Sequence, residues 1–264
     1  MRILITGANG YIGRSLYNAL KDKHDITAIT RQDFDLTKAK PTELFFSSRW
    51  PFDLVIHCAA SGVNKVKESD WNIMDENLLM YYNLLNFKHC YGKLIHFGSG
   101  AETYMPKEPY GYSKKVIAKS ILNQENFYNL KLFGVFDENE LDTRFIKGNI
   151  KRYINKEPLQ VHENKLMDFF YMQDLVKVVE YYINEKDPPK EFDCVYKDNY
   201  AFELGFIAAI INALDDYRVD IIKPSHSIQT ESYISNYRTD LPIDFIGLEE
   251  GIKRTYCKLK QEKL

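Results

Sequence analysis

The sequence predicts an α/β fold, a doubly wound parallel sheet with helices on both faces and a small C-terminal lobe. Three observations predict it. Short apolar runs alternate with helix-length segments over the first half of the 264 residues; a turn with glycines at 7, 10 and 13 follows the first run; and the alternation loosens from about residue 137. The division expected is 1–136, mainly the sheet domain, and 137–264, mainly a lobe, with some later segments returning to the sheet.

The apolar runs Arg2–Thr6, Asp25–Thr30, Leu54–Cys58, Leu94–Phe97 and Leu130–Phe136 read as strands. Between them Tyr11–Lys21, Pro41–Ser48, Asp70–Tyr91 and Tyr110–Asn126 read as helices. Parallel strands joined by right-handed crossovers follow from that order. Ligands on such sheets bind outside the carboxyl ends of the strands. Beyond Phe136 the chain predicts a polar loop to Arg144, a helix Phe145–Asn155, a strand near Leu159–His162 and a helix Leu175–Asn184. A turn at Lys186–Lys190, a strand near Asp193–Tyr196 and helices Phe202–Leu214 and Leu248–Lys258 complete it.

Composition bounds the function. The net charge of −2 gives no basic surplus to hold nucleic acid. Four cysteines, Cys58, Cys90, Cys194 and Cys257, lie too far apart for a metal or redox spacing, so no metal is expected. No apolar stretch reaches the length of a membrane span. With the first strand starting at residue 2 and no signal segment before it, a cytoplasmic, membrane-free protein is expected.

Two constellations carry chemistry. In Thr6-Gly7-Ala8-Asn9-Gly10-Tyr11-Ile12-Gly13, strand, glycine turn and helix succeed one another. Glycine tolerates the turn's backbone angles and lets a pyrophosphate approach the N–H groups at the helix start. The spacing is Gly-x-x-Gly-x-x-Gly rather than the commoner Gly-x-Gly-x-x-Gly. In Pro109-Tyr110-Gly111-Tyr112-Ser113-Lys114, Tyr110 and Lys114 stand four apart on one helix face. A free tyrosine has a pKa near about 10, and a neighbouring ammonium draws it toward the working range. The same spacing recurs at Tyr17/Lys21, Tyr182/Lys186 and Tyr256/Lys260. Only Tyr110/Lys114 opens a helix directly after a strand of the expected sheet. That strand ends in Gly98-Ser99-Gly100, where a hydroxyl is placed to meet a substrate oxygen.

Together these residues resemble the extended short-chain dehydrogenase/reductase family, in its nucleotide-sugar branch. The resemblance runs on through Asp53–Ala60, Asn77, Asn83–Leu85, Met167–Asp174 and Phe245–Ile252. It implies a Rossmann-like sheet and a small substrate-binding lobe. Gly7, Gly10 and Gly13, with the N–H groups of Tyr11 and Ile12, are then expected at the pyrophosphate. Asp35 and Leu36 are expected at the adenine, and Cys58, Ala59, Ala60 and Asn77 along the cofactor. Tyr110 becomes the acid/base, Lys114 its partner and a ribose ligand, and Ser99 the orienting hydroxyl; an alignment anchored from Ala101 puts Gly100 at that last position instead. Relatives commonly dimerise through the helices that include the Tyr-Lys helix, which implies a homodimer.

At the end of the second strand stands Arg31, where an acidic residue would favour NAD. A guanidinium suits a 2′-phosphate, so NADP(H) is the expected preference, with NAD(H) possible. The family's diphosphate-binding arginine before the Asp-Phe pair is Met167 here, and Arg144 and Lys165 are the candidates to replace its charge. Gly100-Ala101 after Ser99 disfavours sugar dehydration, for which relatives carry Asp-Glu. The expectation is therefore an NADP(H)-dependent reductase of a nucleotide-activated 4-keto sugar. Its rivals are an epimerase that retains its cofactor and an inactive cofactor-sensing protein.

Overall fold

The computed structural model describes residues 1–49, 51–62, 70–163, 165–197, 202–224 and 232–263. The chain begins with β1 (Arg2–Thr6), α1 (Tyr11–Leu20), β2 (Asp25–Ile29), α2 (Ala39–Arg49) and β3 (Phe52–His57). Then come α3 (Trp71–Asn86), a 3-10 turn at Lys88–Cys90, β4 (Tyr91–Ser99), α4 (Ala101–Tyr104), α5 (Pro109–Leu122), β5 (Phe127–Leu132) and β6 (Val135–Phe136). The remainder carries α6 (Phe145–Ile154), β7 (Leu159–Gln160), β8 (Leu166–Met167), β9 (Phe170–Tyr171), α7 (Met172–Asn184) and β10 (Glu191–Cys194). It finishes with β11 (Phe202–Glu203), α8 (Leu204–Ile211), β12 (Ile221–Ile222) and α9 (Leu248–Lys263).

Six strands form one sheet in the order β10-β5-β4-β3-β1-β2. Within it β1 pairs in parallel with β2 and β3, and β3 with β4. Apolar side chains on both faces of a parallel strand explain the continuous runs. Ile3, Leu4 and Ile5, with Leu54, Val55 and Ile56, are wholly buried. The chain divides into two compact units, Met1–Lys131 with Glu180–Phe192, and Leu132–Val179 with Asp193–Leu264.

The first unit's helices have local causes. Asp70 caps α3, its side chain accepting from the Asn72 N–H at 3.0 Å. Pro109 sits in the first turn of α5, where its missing N–H costs nothing. Phe45, Phe46 and Phe52 join α2 to β3 in a ring cluster, with the Phe46–Phe52 pair edge-on at 6.3 Å.

Several expected elements change extent. The helix expected over Asp70–Tyr91 ends at Asn86, because Tyr91 begins β4 and its hydroxyl donates to the Leu84 carbonyl at 2.9 Å. The strand expected over Leu130–Phe136 breaks into β5 and β6 around Gly134, where a Cβ would lie 2.9 Å from the Asp168 carbonyl oxygen. The helix expected from Phe202 starts at Leu204, since Phe202 and Glu203 pair antiparallel with β8. The turn helix α4 and the short strands β8, β9 and β12 were not expected from the sequence.

Candidate active site

The site builds from the carboxyl ends of β1, β2 and β3. Gly7 follows β1 with φ +64°, a backbone conformation that suits glycine, and a Cβ there would lie 2.7 Å from the Ala59 backbone. At Gly13 a Cβ would run into the Gly7 carbonyl oxygen. The Gly7–Gly13 turn therefore packs backbone against backbone. Helix α1 opens at Gly10 without a side-chain cap and without an acidic residue in its first turn. The N-terminal end of a helix, with its first N–H groups and the positive end of its dipole, is a setting that suits an anion.

A cleft of about 340 Å³ lies over this turn. Of the residues the sequence singles out, Gly7, Gly10, Arg31, Asp35, Leu36, Cys58, Ala59 and Ala60 line it. Thr6, Asn9, Ile29, Thr30, Phe34, Ser61, Gly62 and Met80 complete the lining and were not singled out. The Thr6 hydroxyl joins strands here, accepting from the Ala59 N–H at 3.2 Å and lying 2.8 Å from His57 Nδ1. Arg31 reaches Glu76 on α3, Nη2 to Oε2, at 3.3 Å. Asp35 accepts from the Thr37 N–H at 3.0 Å and its hydroxyl at 2.8 Å.

Asn77 does not line the cleft. Its side chain is buried and accepts from the Ser61 N–H at 2.8 Å while donating to the Ser61 carbonyl, also at 2.8 Å. It donates as well to the Ser113 hydroxyl at 3.2 Å, and so ties the loop after β3 to α5. That explains an asparagine here by scaffolding.

On α5, Lys114 is 4% exposed and donates to the Phe97 carbonyl oxygen at 2.7 Å. Its ammonium stands 5.8 Å from the centroid of the Tyr110 ring. Spacing alone does not single out this pair. At Tyr17/Lys21 and Tyr256/Lys260 the ammonium also lies over the ring, at 5.9 and 5.1 Å. Burial does: Lys21 and Lys260 are exposed. Desolvation lowers the Lys114 pKa to about 8, against the opposing pull of Glu102 and Cys58.

Ser99 ends β4 and is 7% exposed. Its hydroxyl accepts from the Ala101 N–H at 3.2 Å, and its own N–H donates to Glu102 Oε1 at 2.9 Å. Glu102 is buried with Lys131 3.8 Å from its other oxygen, and desolvation raises its pKa. Behind the site His57 and His96 face each other across neighbouring strands, ring centroids 5.4 Å apart. Burial and the Lys114 charge hold both well below the usual histidine range, His57 at about 3.

A glycine turn that backbone contacts keep free of side chains, a cleft at three strand ends and a helix that sets Tyr110 beside a buried Lys114 point to one lineage. Residues 3–194 match the family described as NAD dependent epimerase/dehydratase. The chain belongs to that family. It is 29% identical over 210 residues to a CDP-abequose synthase of Yersinia pseudotuberculosis, covering 70% of this chain and 74% of the relative. Among solved structures, a GDP-mannoheptose C4 reductase from Campylobacter jejuni superposes with a TM-score of 0.78 at 16% identity, covering 98% of each chain. A UDP-glucose 4-epimerase of Thermus thermophilus gives 0.75 at 18% identity over the full length of both chains. At these identities the structural likenesses establish the fold.

The second unit of this family member holds the other two sequence candidates. Arg144 stands at the N-cap position of α6 without a side-chain capping bond, its Nε 4.0 Å from Glu140, and Lys165 pairs with Glu163 at 3.0 Å. Burial pushes the Glu140 carboxyl up to about 8. Arg238 escaped the sequence reading, since no motif surrounds it. It donates to both Asp168 oxygens at 2.8 Å and to the Tyr196 carbonyl at 2.9 Å. Among the described residues no helix is long and apolar enough to cross a membrane.

Proposed function

We propose that the protein is an NADP(H)-dependent reductase of a nucleotide-activated 4-keto sugar, with NAD(H) also accepted. The observation that carries the reading is the buried Lys114 ammonium, bonded to the Phe97 carbonyl and standing 5.8 Å from the Tyr110 ring centroid. The family assignment supports a nicotinamide dinucleotide, and the glycine cradle fits its pyrophosphate. When bound, the dinucleotide supplies the hydride. Tyr110 donates its hydroxyl proton to the ketone oxygen, and the Lys114 ammonium stabilises the phenolate that remains. Ser99, fixed by Glu102 and by the turn into α4, steadies the oxygen that takes the proton. Gly7, Gly10 and Gly13 with the first N–H groups of α1 hold the pyrophosphate, and Arg31 meets the 2′-phosphate. Arg144 and Lys165 are the candidates to supply the positive charge that the diphosphate of a nucleotide sugar needs.

The protein is further expected to form a homodimer. Helices α3 and α5 carry the large exposed apolar side chains Leu79, Tyr82, Tyr112 and Leu122. Light scattering after gel filtration tests this, and a monomer throughout would remove it.

The deciding assay mixes the protein with NADPH and a panel of CDP-, dTDP-, GDP- and UDP-linked 4-keto sugars and follows nicotinamide absorbance. CDP heads the panel because of the relative from Yersinia pseudotuberculosis. Oxidation with one donor establishes the reductase and names its nucleotide. Tight dinucleotide binding with no oxidation, and interconversion of unreduced nucleotide sugars, transfers the reading to an epimerase.

A further inference from the structure

We infer that Glu76 sets how strongly the cleft discriminates a 2′-phosphorylated adenosine from one with a free 2′-hydroxyl. The inference rests on the dinucleotide reading of the cleft and extends it to a residue on a different element.

Arg31 lines the cleft just beyond β2, and its guanidinium nitrogen Nη2 lies 3.3 Å from Glu76 Oε2 on α3. The neighbouring carboxylates are engaged by their own turns. Asp33 folds back onto Thr30, accepting from its N–H at 2.8 Å and its hydroxyl at 2.9 Å. Asp35 is held in the same way by Thr37. Glu76 instead comes across from α3 to the one arginine among the described residues that line the cleft.

Charge gives the direction. A phosphate monoester carries about −1.5 to −2 near neutral pH, whereas a ribose hydroxyl carries none. A carboxylate beside the guanidinium therefore opposes the phosphate and leaves the hydroxyl nearly unaffected. Arginine has five N–H donors in a fixed fork, and the contact with Glu76 uses a single nitrogen. Glu76 attenuates the attraction without blocking it. A protein built this way accepts both forms of the dinucleotide and prefers the phosphorylated one less than an unpaired arginine would.

Calorimetric titration of the purified chain with adenosine 2′,5′-bisphosphate and with 5′-AMP tests this without any turnover. Glu76→Gln is expected to tighten the bisphosphate about 5- to 10-fold, the scale of a partly screened unit charge, and to leave 5′-AMP within about twofold. The gain shrinks as salt is raised. Arg31→Ala weakens the bisphosphate and abolishes the effect of Glu76→Gln in the double variant. Weaker bisphosphate binding by Glu76→Gln, an equal change for both ligands, or no change overturns the inference alone. Binding of neither ligand to the unsubstituted chain overturns the dinucleotide reading, and the inference with it.

Discussion

The Lys114 ammonium donates a 2.7 Å hydrogen bond to the carbonyl oxygen of Phe97, inside the first unit, with 4% of the residue exposed. One strand carbonyl thus fixes the cation on which the proposed proton transfer depends. Desolvation brings its pKa down from 10.5 to about 8. Reductase activity that needs this charge falls as pH rises through about 8, and a pH profile of kcat checks it. Lys114→Met should remove that limb along with most of the activity. Stability moves the other way. Between about 8 and 10.5 the unfolded chain binds more protons at this residue than the folded one, so its contribution improves as pH rises across that window.

Tyr110→Phe keeps the ring and removes the proton. Turnover should drop by about a hundred- to ten-thousand-fold, the usual worth of a positioned general acid, while dinucleotide affinity stays within about twofold. Unchanged turnover would contradict the mechanism.

Gly7 and Gly247 separate two effects of a methyl group at positive φ. Both have positive φ, +64° and +88°, but a Cβ at Gly7 meets the Ala59 backbone whereas at Gly247 it has nothing within 4 Å among the described residues. Gly247→Ala should cost the backbone strain alone, about 1–2 kcal/mol. Gly7→Ala should cost more and also weaken dinucleotide binding, because the turn must open to accept the methyl. Denaturant midpoints and calorimetric titration distinguish the two.

His57 and His96 predict acid sensitivity. Both pKa values are depressed in the fold, His57 from 6.5 to about 3. As pH falls below 6.5 the unfolded chain takes up protons the folded one refuses, and stability is lost progressively toward about 3. Neither ring nitrogen of His96 has a hydrogen-bond partner among the described residues. His96→Leu should therefore change stability at neutral pH by less than about 1 kcal/mol, since it removes unsatisfied polar atoms as well as a ring. It should also flatten the loss on acidification. Urea midpoints at neutral and acid pH measure both.

Arg238→Leu removes the partner from a buried carboxylate. Asp168 is 5% exposed and already raised by desolvation, held partly in check by Arg238 and by the Ser235 N–H at 2.7 Å. Loss of the guanidinium should destabilise by about 3 kcal/mol near neutral pH. The loss should shrink at a pH low enough to protonate Asp168. A destabilisation independent of pH would show that packing dominates.

By itself the sequence determined what local geometry dictates. Strand β1 matches its expected limits, and α1 its expected start, because alternation of apolar runs with glycine and capping residues acts within a few positions. The glycine turn and the residues around Arg31 and Ala59 were legible for the same reason, each lying where a strand ends. Tertiary structure alone decided what depends on distant neighbours. Gly134 divides β5 from β6 because the Asp168 backbone comes close, and Phe202 leaves a helix for a strand because Met167 offers it a partner. Asn77 braces Ser61 and Ser113 from 16 and 36 residues away, a role no local pattern encodes. Position in the sequence marked Lys114 out from the other tyrosine-spaced lysines, but its burial against β4 came only with the packed chain. Burial is a property of the packed chain, and it is what brings the Lys114 pKa near neutrality.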